Sequence, residues 1–303
     1  MRAFAWFFGL ILAGLAAMAI FAYPAWLLVH PTFDFPFHRV AGRIGMLALL
    51  VGLVIVARRL HVADRASLGY GLRRPAFIRE LFTALAIGWV LMAAVVAVMI
   101  VLDLRDLKPG VVLDAATLAS LALKGVISGL VVAFIEETFL RGAMFTAIQR
   151  ESGARAAIIL TALVYSATHF IARHRIATDD VTASSGLDLL AGTLRLFADP
   201  LHIADAFLCL FAVGVVLGMV RALTGNIAAC IGLHAGWVAV ITLVRETSQP
   251  DRSHALSALL STFDGMVGWF VLVWTVGIGV LLYFFYRRGG EHHLGGGGPP
   301  ATR

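Results

Sequence analysis

Glu136 and Glu137 stand side by side inside an apolar stretch, roughly Leu121 to Ile148, long enough to cross a bilayer, and Arg141 follows four positions after the second. A carboxylate near the membrane midplane costs at least ~2.5 kcal/mol on insertion scales, so ionisable groups at that depth face a bundle interior or a wet cavity and usually serve function. On one helix Glu137 and Arg141 are i,i+4 neighbours that can pair, whereas Glu136 is rotated about 100° from Glu137. The rotation groups Glu136 with Gly129, Ala133 and Ala143, small residues that admit a second helix backbone. A carboxylate held in the bundle without a counter-ion suits a general base.

Two histidines in later apolar segments are natural partners. His169 follows Tyr165 by one turn, with Ser166 and Ala162 on its side, and His234 precedes Ala235, Gly236 and Trp237. Glu136 lies 14 residues from Arg150, His169 lies 14 from Arg155 and His234 lies 13 from Arg221. Each distance is about 20 Å along a helix axis at ~1.5 Å per residue, so three segments bring one carboxylate and two imidazoles to one depth. That inventory activates a water or holds a metal. Plainer roles exist: an interhelical hydrogen bond for His234, and a structural clasp for Glu137 and Arg141. His174, His202 and His254 fall in connections and read as surface histidines.

These residues must be positioned by membrane helices. Of 303 residues 60% are hydrophobic and 14% charged, with a mean hydropathy of +0.90. The apolar runs are helix-length without strand alternation, which makes the chain all-α and polytopic. Eight spans are expected, near Ala3 to Val29, Ala41 to Ala57, Leu81 to Leu102, Leu121 to Ile148, Ala154 to Ala172, Leu201 to Val220, Asn226 to Val244 and Met266 to Tyr286. The first exceeds a signal-peptide core and reads as a span. Arg58, Arg59, Arg65, Arg73, Arg74 and Arg79 mark the second connection as cytoplasmic, and Arg150, Arg155, Arg221, Arg287 and Arg288 share that side by alternation. Both termini are therefore expected in the cytoplasm, with 103–114 and 173–205 outside.

The net charge of +6 is a topology signal, since its residues form no basic stripe interleaved with aromatics; no nucleic-acid partner is expected. Cys209 and Cys230 fall within spans, which excludes a disulfide framework or a cysteine-rich metal site. Residues 1–288 read as one membrane domain, and 289–303 as a disordered Gly/Pro-rich tail whose His292 and His293 are solvated. Leu187 to Phe197 is amphipathic and could cap the outer surface, although a plain loop from Ile176 to Pro200 is the preferred reading.

Glu136-Glu137-Thr138-Phe139-Leu140-Arg141 resembles the EExxxR motif of the CPBP family, the CAAX proteases and bacteriocin-processing enzymes also called the Abi family. Tyr165 to His169 is similar to its FxxxH motif, His234 onward to its HxxxN motif, and Ser67 to Leu72 to a phrase common upstream; the likeness spans about 65 to 245. The resemblance implies an eight-helix intramembrane endopeptidase in which Glu136 and His169 activate a water, His234 binds the oxyanion, and Glu137, Arg141 and Tyr165 support them. It also implies a membrane-associated protein or peptide as substrate and the plasma (inner) membrane of a bacterium as location. Two departures are Tyr165 for the usual Phe and Val238 where Asn is frequent. Whether Glu136, His169 and His234 hold Zn2+ or work without metal is left open by the residues, which include no HExxH. Two other classes fit the same cluster: a non-catalytic immunity or scaffold protein, and a proton-coupled transporter, for which no inverted repeat is found.

Overall fold

A computed structural model describes residues 1–171 and 174–294, the last six by backbone alone. The chain is a membrane helix bundle: α1 (Arg2–Phe33), α2 (Phe37–Arg59), α3 (Arg74–Val101), α4 (Ala115–Glu137), α5 (Phe145–Thr168), α6 (Ser185–Ala198), α7 (Pro200–Thr224), α8 (Ala228–Thr247) and α9 (Trp269–Leu294). Among the described residues, seven continuous helical runs are long and apolar enough to cross a bilayer, and one of them, Ala115–Thr168, is 54 residues long. A crossing needs ~20 residues, so this run supplies two. It breaks at Gly153, whose φ of 83° and ψ of 168° leave the helical region where a residue without Cβ is least strained. The break falls between the fourth and fifth expected spans, and eight crossings result.

Helices in lipid lack a hydrophobic drive toward one another, so close packing depends on small residues. α8 is the centre, with 14 of its 20 residues buried. A Cβ on Gly232 or Gly236 would lie 2.2 Å and 2.5 Å from the carbonyl oxygens of Leu81 and Leu85 on α3, and one on Gly129 would lie 2.6 Å from that of Ala235 on α8. α5 meets α7 the same way, Gly214 sitting 2.8 Å from the Ala162 Cα by that measure. α1 and α2 form a second layer through Gly14, Gly45 and Gly52.

At one end β1 (Arg105–Leu107) pairs antiparallel with β2 (Ser248–Pro250). Buried Arg105 ties this ribbon to the approach to α9, donating to Ser248 Oγ at 3.0 Å, the Ser248 carbonyl at 3.1 Å and the Gly265 carbonyl. Two expectations change. The 176–200 connection contains a helix, α6, because Gly186 lets its backbone dock on α1 at Ala19. α9 continues to Leu294, past residue 288, while the rest of the expected tail, 295–303, lies outside the described residues, as do Ala172 and Arg173.

Candidate active site

α4 does not end at Glu137 but widens into a π-helix, Thr138–Met144, before α5 begins. The wider turn inserts backbone into the helix at the charged motif, a place where π segments recur in proteins with function. Across its start the i,i+4 pair forms: Arg141 Nη1 donates to Glu137 Oε1 at 3.1 Å, with both side chains fully buried. Arg141 also donates from Nη2 to the Gly214 carbonyl on α7 at 3.1 Å, and its guanidinium lies 4.9 Å from the Tyr165 ring centroid. His234 Nδ1 lies 2.8 Å from the same Glu137 Oε1. A carboxylate only accepts, so the His234 proton sits on Nδ1.

The small-residue stripe leads to Glu137. Gly125, Gly129, Ala133 and Glu137 are the buried positions of α4, and a Cβ on Gly125 or Gly129 would strike the α8 backbone at Ala239 or Ala235. Expecting Glu136 on that stripe was an error of one position: from Ala133, i+4 is rotated by about 40° and i+3 by about 60° the other way, so Glu137 aligns better. The correction gives the two glutamates different surroundings. Glu137 is locked between Arg141 and His234, whereas Glu136 forms no ion pair among the described residues. Each keeps one buried oxygen, Oε2, without a hydrogen-bond partner there.

Glu136 faces a cavity of about 340 Å³ between the two layers, lined by Gly14 and Met18 of α1, Gly42 and Gly45 of α2, Phe139 of the π-helix and His169 just after α5. His169 Nδ1 sits 2.7 Å from the Tyr165 carbonyl; since a carbonyl only accepts, Nδ1 donates, leaving Nε2 as the basic nitrogen. Ser166 donates to the Phe207 carbonyl at 2.7 Å and fixes this end of α5 on α7. Tyr165 stands between the imidazoles, its ring centroid 4.4 Å from that of His169 and 5.9 Å from that of His234. The shared depth expected of the histidines is thus bridged by one aromatic ring. Glu136 and His169 open on the cavity, and His234 stands behind Glu137.

The segment between α2 and α3 braces the π-helix from one end. Tyr70 Oη and Thr138 Oγ1 are 2.6 Å apart, Thr146 Oγ1 donates to the Ser67 carbonyl at 2.6 Å, and Arg150 donates to Ser67 Oγ at 2.6 Å and the His61 carbonyl at 2.8 Å. A Cβ on Gly142 would lie 2.9 Å from the Leu68 carbonyl, so this contact requires glycine. The segment holds its own shape through Asp64, which accepts from Ser67 Oγ and, at 2.9 Å, from Ser67 N; these bonds keep its carboxyl below the usual carboxylate range. Arg221 of α7, buried, donates to the Arg141 carbonyl at 2.9 Å. Sequence reasoning used Arg150 and Arg221 only as markers of topology and depth. The missed signal is that Arg221 continues the Gly214 and Gly218 face of α7, which meets α5.

Among the described residues no three His, Cys, Asp or Glu side chains are placed to hold a metal ion. Glu136, His169 and His234 therefore do not make a three-ligand zinc set, because His234 is drawn to Glu137. Cys209 and Cys230 are buried and unpaired.

Residues 118–240 match a family model described as Rce1-like, type II CAAX prenyl endopeptidase Rce1-like. No curated protein and no solved structure matches the chain. The matched stretch contains both glutamates, Arg141, Tyr165 and both histidines. Over this stretch the chain is similar to that endopeptidase family model, in line with the resemblance of its motifs to those of the CAAX proteases.

Proposed function

We propose that this protein is an intramembrane endopeptidase that hydrolyses a peptide bond of a membrane-associated protein or peptide, with Glu136 and His169 activating the attacking water. One observation carries the reading: Glu136, without a counter-ion among the described residues, and His169 line the same apolar cavity, while the neighbouring Glu137 is consumed by Arg141 and His234. A water between the pair would give one proton to the Glu136 carboxylate and hydrogen-bond through the other to His169 Nε2, turning a lone pair toward the scissile carbonyl carbon. After attack, Glu136 returns its proton to the leaving amine.

Glu137 and Arg141 act as positioning residues that fix the π-helix. His234 orients Glu137 through Nδ1, and donation from its Nε2 to the oxyanion requires the doubly protonated ring. Val238 leaves this site without the amide often found there, so Tyr165, packed against both imidazoles, is the neighbouring polar group of the oxyanion side. This route takes no step through a metal, since among the described residues no three donors converge. We further propose that both termini are cytoplasmic, on the strength of the six arginines between Arg58 and Arg79.

The test compares membrane peptides in a strain lacking the protein with those in strains carrying the wild type or Glu136→Gln. The expected result is one set of uncleaved substrates common to the null and Glu136→Gln strains. An identical cleavage pattern in wild-type and Glu136→Gln strains would remove the assignment of Glu136.

A further inference from the structure

α2 presents one helical face to the cavity that Glu136 and His169 line: Gly42, Gly45, Met46, Leu49 and Leu50 stand on it at i, i+3, i+4, i+7 and i+8. The two glycines differ. A Cβ on Gly45 would lie 3.6 Å from both the Gly14 carbonyl oxygen and the Met18 Cβ, ordinary contact within the packing of α2 on α1. A Cβ on Gly42 would meet no atom of the described residues within 4 Å. Neither helix packing nor a positive φ requires glycine at this position, and glycine in a helix interior is destabilising relative to alanine. What the missing side chain leaves is room inside the cavity. That room is apolar. Besides Glu136 and His169, the polar side chain of the lining is Thr168, whose hydroxyl donates to the Val164 carbonyl on its own helix at 2.9 Å. A charged or strongly polar group placed beside Gly42 would lose its water without gaining a partner, whereas an apolar side chain gains by leaving water.

We propose that Gly42 determines which peptides are cut, by leaving space for one large apolar side chain, of leucine, methionine or phenylalanine size, next to the scissile bond. The inference rests on the reading of Glu136 and His169 as the water-activating pair, and it narrows the substrate class to membrane-associated peptides with such a residue at the cleavage site. The cavity lies between the two layers, with Glu136 and His169 contributed by one and Gly42 by the other. A peptide bond held against the pair therefore has a flanking side chain on the α2 side. Gly42 touches no reacting atom; its part is selection by size. A leucine at position 42 would grow into the cavity from a point where it displaces nothing, and so would compete with the substrate side chain while leaving the packing of α2 intact.

The probe is the pool of membrane peptides in strains lacking the native protein and carrying wild type, Gly42→Ala, Gly42→Leu, Gly9→Leu or Glu136→Gln, with cleavage sites read by mass spectrometry as the peptide termini that disappear in Glu136→Gln. Wild-type sites should carry leucine, methionine or phenylalanine on one side of the cut bond. Gly42→Leu should cut those sites about tenfold less or worse and gain sites flanked by alanine or glycine, and Gly42→Ala should shift part of the way. Gly9→Leu, at an exposed position whose added carbon also meets no neighbour, should keep the wild-type pattern. Equal melting temperatures of the purified full-length variants would certify their folding, and Gly42→Ala carries the test if Gly42→Leu melts early. Wild-type sites without a size preference, an unchanged pattern in the folded Gly42 variants, or an equal loss at large and small sites would each overturn the role of Gly42 while Glu136-dependent cleavage stood. No Glu136-dependent site at all would overturn the peptidase reading with it.

Discussion

Glu136 and Glu137 are one position apart, and the turn between them separates a cavity wall from a sealed ion cluster. Their substitutions should therefore fail in different ways. Glu136→Gln is expected to reduce peptide hydrolysis by at least ~10²-fold, the scale of a lost general base, while leaving the melting temperature of the purified protein nearly unchanged. Glu137→Leu removes one partner from a buried pair and leaves Arg141 uncompensated, at a cost of about 3–5 kcal/mol. A melting curve should show that loss, whatever activity remains. If Glu136→Gln melted as early as Glu137→Leu, Glu136 would be a structural residue and the division of labour would be wrong. The pairing of Glu137 with Arg141 was legible in their spacing. Its tie to His234 was not, because helical rotation decides which of two adjacent acids meets another helix, and 40° against 60° is a fine distinction for periodicity alone.

At the level of the helix, the support of the site is a matter of backbone approach. Gly129→Leu is expected to cost about 1–3 kcal/mol by pushing α4 from α8, since the new Cβ starts 2.6 Å from the Ala235 carbonyl. Gly9→Ala, with nothing within 4 Å of the added carbon, serves as the neutral control in the same thermal assay. The segment between α2 and α3 should respond to acid. The Asp64 carboxyl titrates below its ordinary range when docked, so its contribution is present above the unfolded carboxylate pKa and is lost as pH falls through the lower folded value. Amide exchange of residues 61–70 should accelerate over that acidic window and stay slow at neutral pH, and Asp64→Asn should abolish the difference. The number of crossings and the gap between the fourth and fifth of them were readable from apolar run lengths, whereas α6 was not. Nor was the π-helix: nothing in the order of Thr138 to Met144 marks a widened turn, and the segment is braced by Tyr70, Ser67 and Arg221 from distant segments.

For the molecule as a whole, the arrangement of its ends is open to a direct labelling experiment. Both native cysteines are buried and should give little background. Cysteines introduced at Arg73 and at Ser253 are expected to react with a membrane-impermeant maleimide from opposite sides, the first only after the membrane is opened in intact cells. Labelling of both from outside would overturn the placement of the arginine-rich connection in the cytoplasm. The order of assembly follows from connectivity. Glu136 and His169 are delivered by a single hairpin, α4 with α5, whereas the bond from His234 to Glu137 spans 97 positions and Arg221 reaches Arg141 across 80. Since chains emerge N-terminus first, the proposed hydrolytic pair enters the bilayer before the residues that steady it. A nascent chain halted before α7 would carry the two proposed catalytic groups with Glu137 and Arg141 leaning only on each other, so any competence to cut should appear late in synthesis, when the protein's own unfinished segments are no longer at risk.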